Sequence, residues 1–203
     1  MDREKALTAV HDRIRRCTQC ALHIGRTHAV PGAGPVDALV MFVGEAPGFY
    51  EDQQGIPFVG AAGQLLNELL EKIELQRQHV FITNVIKCRP PGNRDPNPEE
   101  VLACQAYLEE QIDTIVPKVI VTLGRHSMAR AFPDEKVSIV HGHPRRLDGR
   151  VYFPMYHPAA ALHQPSLRSV VEADFVQLRA LLAGEVEPEE YAPPPEAEQL
   201  SLF

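Results

Sequence analysis

The apolar run Ala38-Leu39-Val40-Met41-Phe42-Val43 stops at Gly44 and gives way to a long stretch rich in Gly and Pro. A short apolar run bounded this way reads as a buried strand. The stretch after it carries three carboxylates, Glu45, Glu51 and Asp52, and ends where Ala61-Ala62-Gly63-Gln64-Leu65-Leu66 opens a helix. Strand, loop and helix in this order are how an α/β sheet builds a ligand site, because the loop leaves the carboxyl end of a parallel strand. The alternative is a flexible connection with solvated acids. Its length argues against that, since long structureless connections in compact domains are usually functional.

The same pattern recurs along the chain. Strands are predicted over 38–43, 80–83, 118–123 and 151–155, and helices over 2–16, 61–76, 98–115, 125–132 and 168–183. This alternation predicts an α/β protein, a three-layer α/β/α fold around a central four-stranded, mainly parallel sheet. The strands end in Gly44-Glu45, Thr83-Asn84, Leu123-Gly124 and Tyr156-His157, so Glu45, Asn84 and His157 are expected to converge at one sheet edge. Between the second strand and the next helix, Val85 to Pro96 is basic and too rich in proline for regular structure.

No run approaches the ~20 apolar residues of a membrane span, and Met1-Asp2-Arg3-Glu4-Lys5 lacks a signal peptide's apolar core. A cytoplasmic protein is expected, in which cysteines seldom form structural disulfides. The net charge of −7 counts at first against nucleic acid, but residues 184–203 hold six Glu and no Lys or Arg. The body over 1–183 is therefore close to neutral and can present a basic face. Residues 184–198, rich in Glu and Pro, are expected to form a disordered linker.

The four cysteines are spaced as Cys17-x2-Cys20 and Cys88-x15-Cys104. A Cys-x-x-Cys pair brings two thiolates to one centre from a single turn, so a structural zinc or an iron–sulfur cluster is a candidate. Zinc sites usually pair two short spacings. A redox pair, or simple burial, stays open as well.

Taken together, Gly44-Glu45-Ala46-Pro47-Gly48-x-x-Glu51-Asp52-x-x-Gly55-x-Pro57-Phe58-Val59-Gly60, then Thr83-Asn84-Val85-Ile86-Lys87-Cys88-Arg89-Pro90-Pro91, then His157-Pro158-Ala159 and the cysteine set closely resemble the family 4 uracil-DNA glycosylases. The resemblance covers about residues 5–183. It implies a [4Fe-4S] cluster on Cys17, Cys20, Cys88 and Cys104. It also implies a monomeric enzyme that flips uracil out of single- or double-stranded DNA and hydrolyses its glycosidic bond, with catalytic roles for Glu45 and His157. The uracil would be bound by Glu45, Ala46, Glu51, Phe58, Asn84 and His157.

The chemistry agrees with those residue types. An Asn amide can accept from uracil N3–H and donate to O4, whereas cytosine presents the reverse pattern. Phe58 matches the stacking aromatic, although a Phe is a core residue by default. A donor such as His157 near uracil O2 would stabilise the charge left on the base, and Glu45 would direct the attacking water. Glu51 is assigned to the C5 side of the base. For DNA, Pro47, Gly48, Lys87, Arg89, Arg94, Arg125, Leu162, His163 and Arg168 are the candidate contacts, with Leu162 as a wedge. At 163–164 the chain has His-Gln in place of a basic residue followed by a polar one, which weakens the expected phosphate grip.

A related branch bonds covalently to uracil-DNA and carries a His-containing basic insertion after the second motif. Residues 87–94 contain no histidine, so turnover is favoured over a covalent or non-turnover binder. The chain ends Gln199-Leu200-Ser201-Leu202-Phe203, which resembles the short peptide by which bacterial repair proteins dock in a groove of the DNA sliding clamp. Gln199, Leu200, Leu202 and Phe203 would be its anchors. A cytoplasmic, nucleoid-associated protein would follow.

Overall fold

The computed structural model describes residues 2–192. Helix α1 (Arg3–Arg15) is capped by Asp2, whose carboxylate accepts from the Glu4 and Lys5 amides at 3.1 and 3.5 Å. A single turn, α2 (Leu22–Gly25), precedes strand β1 (Val40–Gly44). Then come α3 (Phe49–Gln54), α4 (Ala61–Lys72), β2 (Phe81–Asn84) and α5 (Pro98–Ile115). The second half runs β3 (Val119–Leu123), α6 (Arg125–Met128), α7 (Val137–Val140), β4 (Arg145–Leu147), β5 (Arg150–Met155), α8 (Pro158–His163), α9 (Leu167–Ala183) and β6 (Glu189–Glu190). No helix among the described residues is long and apolar enough to cross a membrane.

The sheet order is β2-β1-β3-β5-β4-β6. The expected parallel core of four is present as β2-β1-β3-β5, but the sheet has six strands and is mixed, because β4 is antiparallel to β5 and β6 runs parallel to β4. The hairpin between β4 and β5 turns on Asp148-Gly149, both at positive φ (49° and 75°), the backbone a two-residue hairpin demands. Part of the expected linker is also ordered. Glu189 and Tyr191 donate backbone hydrogen bonds to Pro144 and Arg146, and the Tyr191 ring sits edge-on to Phe132 with centroids 4.7 Å apart. The expected clamp-binding peptide at 199–203 lies outside the described residues.

Alternation along the central strands divides two cores. Phe42 joins Leu66, Leu70, Phe175 and Leu178 beneath α4 and α9, while Met41 and Phe81 join Leu108 and Ile112 beneath α1 and α5. The sheet is thus covered on both faces, which leaves the strand ends as the place for a site. Helix α5 starts with a capping box in which the Asn97 side chain and Glu100 satisfy each other's backbone amides, with Pro98 at its first position. It stops at Val116, where φ turns to 51°.

Candidate active site

The register sets Gly44 beside Asn84 at the carboxyl ends of β1 and β2. Glu45 follows β1 directly, and His157 follows β5 at the start of α8. All three line one pocket of about 460 Å³, together with Ala46, Pro47, Gly48, Glu51 and Phe58. The convergence expected from the strand ends is therefore present.

Asn84 is 1% exposed, and both Oδ1 and Nδ2 lack a hydrogen-bond partner. Such a pair costs about 1–3 kcal/mol per group unless something supplies the missing bonds. Gly44 makes room for it: a Cβ there would lie 2.4 Å from Asn84 Oδ1 and 2.8 Å from the Phe58 ring. Phe58 itself is held at φ 52°, with its ring stacked on His157 at a centroid distance of 5.5 Å. Gly63 of α4 lies against the Phe58 backbone so closely that any side chain would collide with its carbonyl. Arg77 secures the loop from below by donating to the Pro57 carbonyl and to Asn67 Oδ1.

His157 Nδ1 accepts from the Ala159 amide at 3.1 Å. That bond fixes the neutral tautomer with its proton on Nε2. Burial lowers the His157 pKa to about 4, only partly opposed by Glu51, so the ring is a neutral donor at physiological pH. Glu51 Oε1 accepts from the Val59 and Gly60 amides at 2.8 and 2.9 Å. Its carboxylate thus pins the far end of the loop, at the entrance to α4, as well as lining the pocket.

Glu45 is half-buried, and burial raises its pKa, with Asp95 acting the same way and His126 and Arg125 opposing. His126 Nε2 lies 3.7 Å from Glu45 Oε2 and 3.5 Å from Asp95 Oδ2, and it accepts from Arg125 Nε at 3.1 Å. Sequence reasoning passed over Asp95 and His126. His126 had a signal, since it stands just beyond the β3 end at Gly124; Asp95, inside a proline-rich loop, had none.

The expected DNA contacts divide. Pro47, Gly48, Arg94 and His163 line the pocket, and Leu162 on α8 is 44% exposed. Lys87 is not a phosphate contact: it is 1% exposed, and its Nζ donates to Thr83 Oγ1, the Asn84 carbonyl and Gln111 Oε1 at 2.7, 2.7 and 2.8 Å. Alternation did not reveal this, because Lys87 lies past the strand in a loop that turns inward. Arg94 forms a bidentate pair with Glu100, Arg125 pairs with Asp95, and Arg168 pairs with Glu68 and Glu172. Arg89 holds Asn93 Oδ1 through Nε and stacks over Phe49.

All four cysteines are free, and they line one small enclosed hollow with Ile14, His23, Arg26 and Tyr107. Burial raises the Cys88 thiol and pushes Cys104 up to about 11, while Arg26 Nη1 donates to Cys88 Sγ at 3.1 Å. These four are the residues able to hold a metal centre away from the pocket.

A uracil DNA glycosylase superfamily model matches residues 31–179 of the chain. The chain is 48% identical to the type-4 uracil-DNA glycosylase of Sulfurisphaera tokodaii over 87% of its own length and 84% of that protein's. To the type-4 enzyme of Thermotoga maritima it is 44% identical, over 90% and 98%. A type-5 uracil-DNA glycosylase of Pyrobaculum aerophilum is more distant, at 30% over 64% of this chain. The chain belongs to the type-4 uracil-DNA glycosylases within that superfamily.

Proposed function

We propose that the protein extrudes uracil from DNA into the Asn84 pocket and hydrolyses its N-glycosidic bond, leaving free uracil and an abasic site. The reaction class, a DNA-repair hydrolase of N-glycosyl bonds, follows from the family; the residue roles are our reading. The observation that carries them is the Asn84 amide, buried and unpartnered at both atoms. One acceptor and one donor side by side match N3–H and O4 of uracil and mismatch cytosine.

Phe58 offers its face to the base, and Nε2–H of His157 is the donor for O2, where negative charge collects as the bond breaks. Glu45, ionised, orients or deprotonates the attacking water and faces the positive character of the sugar. Glu51 walls the C5 side where thymine carries its methyl, and the bonds to Val59 and Gly60 keep that wall in place. Ala46 completes the lining. Pro47, Gly48, Leu162 and His163 meet the strand around the extruded nucleotide, and Arg89 meets its phosphates. Arg94 and Arg168 reach phosphate only by releasing their glutamates.

The cysteine hollow fits a [4Fe-4S] cluster held by Cys17, Cys20, Cys88 and Cys104. Among the described residues, only Glu45, Asp95 and His126 bring three ligand-type atoms within 4.8 Å of one another. No three of the four sulfurs therefore lie within 4.8 Å of one another, a wider spread than the about 3.8 Å that a zinc ion bonded at ~2.3 Å would impose. When bound, the cluster supplies a tie between the amino-terminal segment, the loop after β2 and α5, remote from the reacting bond. The peptide at Gln199 to Phe203 is the docking segment for a sliding clamp in this reading, and its deletion should abolish capture by clamp-coated beads.

The deciding experiment is uracil release from a single-stranded oligonucleotide by the intact protein, Asn84→Ala and Glu45→Ala. Release by the intact protein that collapses in both variants, with iron content and visible absorbance unchanged, supports the assignment. A folded, iron-loaded protein that releases nothing overturns it. In that case a complex surviving denaturation would point to a covalent binder.

A further inference from the structure

Past Gly48 the pocket wall continues into α3, whose side chains are arranged against expectation. Phe49 is 50% exposed and Tyr50 60% exposed, and neither ring belongs to a core cluster. The next two residues of the same helix, both acidic, turn inward. Glu51 accepts from the Val59 and Gly60 amides, and Asp52, 3% exposed, accepts from the Thr27 amide at 2.9 Å. A helix free to roll would hide its rings and expose its carboxylates. Here the named bonds fix the carboxylates inside, so the rings are locked outward.

The two rings pack edge to face at 5.4 Å, and the Arg89 guanidinium lies 5.1 Å from the centre of the Phe49 ring. Arg89 Nε holds Asn93 Oδ1 at 2.7 Å, while its Nη groups have no partner among the described residues. Gly48 and Asn93 both line the uracil pocket, so the aromatic surface and the pocket are continuous. A rigid pair of aromatic faces with an adjacent cation is the arrangement that holds unpaired bases and their phosphates, because every base has a face to stack and duplex bases do not offer theirs.

We propose that Phe49, Tyr50 and Arg89 form a stacking subsite for an unpaired nucleotide next to the extruded uracil, favouring single-stranded over duplex DNA. The subsite rests on the glycosylase reading of the pocket. Phe49 or Tyr50 takes the neighbouring base, and Arg89 takes the intervening phosphate.

The test uses the full chain and a single strand in which a non-hydrolysable 2′-fluoro-deoxyuridine is flanked by 2-aminopurine. The intact protein should quench the flanking fluorophore on binding, and quench it far less when a complementary strand is annealed. The double variant Phe49→Ala, Tyr50→Ala should lose the quench and bind the single strand roughly 10- to 100-fold more weakly, the range of one or two lost base stacks. With a cleavable uracil, the advantage of a longer strand over a substrate trimmed to the uridine and its two phosphates should shrink in that variant. Arg89→Gln should weaken binding and flatten its salt dependence while keeping part of the quench. Unchanged affinity and unchanged fluorescence in the double variant overturn the subsite, even if a protein partner is found to use the same rings. If the intact protein releases uracil from neither the long nor the trimmed substrate, the glycosylase reading falls and the subsite with it. Release from both without any length advantage sinks the subsite alone.

Discussion

The Asn84 pocket and the four-cysteine hollow are separated by only Val85, Ile86 and Lys87, yet they are built in opposite ways. The pocket is open and roomy, and its innermost polar group is left without partners. Around that group everything is held: His157 by the Ala159 amide, Glu51 by Val59 and Gly60, Phe58 by the close approach of Gly63. The hollow is closed and lined by sulfur and hydrocarbon, with Arg26 already on Cys88. Recognition requires groups that are unsatisfied but immobile, and immobility has to come from elsewhere. Lys87 joins the two regions, because one ammonium binds the carbonyl of Asn84 and the amide oxygen of Gln111, two turns along α5 from Cys104. Three acceptors around one nitrogen favour the charged form with its three protons, against burial, which lowers the Lys87 pKa to about 7.

The sharpest break of the comparison is Asn84→Ala, which removes the reader and leaves the support. We expect kcat/KM for uracil release to fall by roughly 10⁴-fold, as in sites whose buried polar groups read a substrate hydrogen bond. Iron content and melting temperature should hold, since the amide bonds to nothing in the free protein. A loss smaller than tenfold would mean that the base is read by other groups.

His157 comes next. His157→Ala should cost roughly 10²- to 10³-fold in the rate of bond cleavage, the usual loss for one donor at a developing anion. The ring also carries a pH signature. Its folded pKa of about 4 lies below the ordinary 6.5, so the unfolded chain binds a proton that the folded chain refuses between those values. The stability contribution is complete above pH 6.5 and is lost as pH falls toward 4, by up to about 3 kcal/mol at ~1.36 kcal/mol per unit. Denaturant titrations of the intact protein and His157→Phe across that window would show whether the slope belongs to His157. Release itself should decline earlier than the His157 titration, because the raised Glu45 pKa demands a higher pH to keep its carboxylate ionised. A Glu45→Gln background isolates the His157 limb.

Much of this was legible before any coordinates. Apolar runs that stop at Gly44, Asn84, Gly124 and His157 announce parallel strands, and the carboxyl edge of such strands is where ligands bind, so the convergence of Glu45, Asn84 and His157 was readable from the strand ends. The Asp148-Gly149 hairpin went unread despite its turn dipeptide, because β4 between Arg145 and Leu147 is too short and too charged to register as apolar alternation. Helix α3 was read as loop because Gly48 and Gly55 bracket it closely; they are in fact its cap residues. Lys87 was misplaced for a deeper reason. A lysine's default is solvent, and only tertiary packing reveals three oxygens waiting at its nitrogen.

Lys87→Met tests the bond between the two regions. The substitution keeps the volume and strips the charge, leaving Thr83, Gln111 and the Asn84 carbonyl short of a donor. About 1–3 kcal/mol of stability should be lost, the cost of leaving buried acceptors without a donor. The variant should also discriminate uracil from cytosine less well, because Asn84 loses its anchor. If stability falls and discrimination is untouched, Lys87 braces the cysteine side only, and the two regions are independent.

The smallest expected effect separates surface charge from binding charge. Arg168 and Arg89 look equivalent in the sequence, each a basic residue near a motif. In the structure Arg168 is engaged by Glu68 Oε2 at 2.8 Å and Glu172 Oε1 at 3.2 Å, and Lys72 competes for Glu172. A guanidinium already neutralised releases few counterions when DNA arrives. Arg89 has no carboxylate partner among the described residues and sits beside the pocket rim through Asn93. Each phosphate contact contributes about 0.7 to the slope of log affinity against log salt for a single strand. Arg89→Ala should lower that slope by about one contact, and Arg168→Ala should leave it unchanged within error, with binding measured by anisotropy across a salt series. Equal changes in the two variants would show that the ion pairs of Arg168 open on binding, and that the DNA footprint extends from the pocket mouth onto α9.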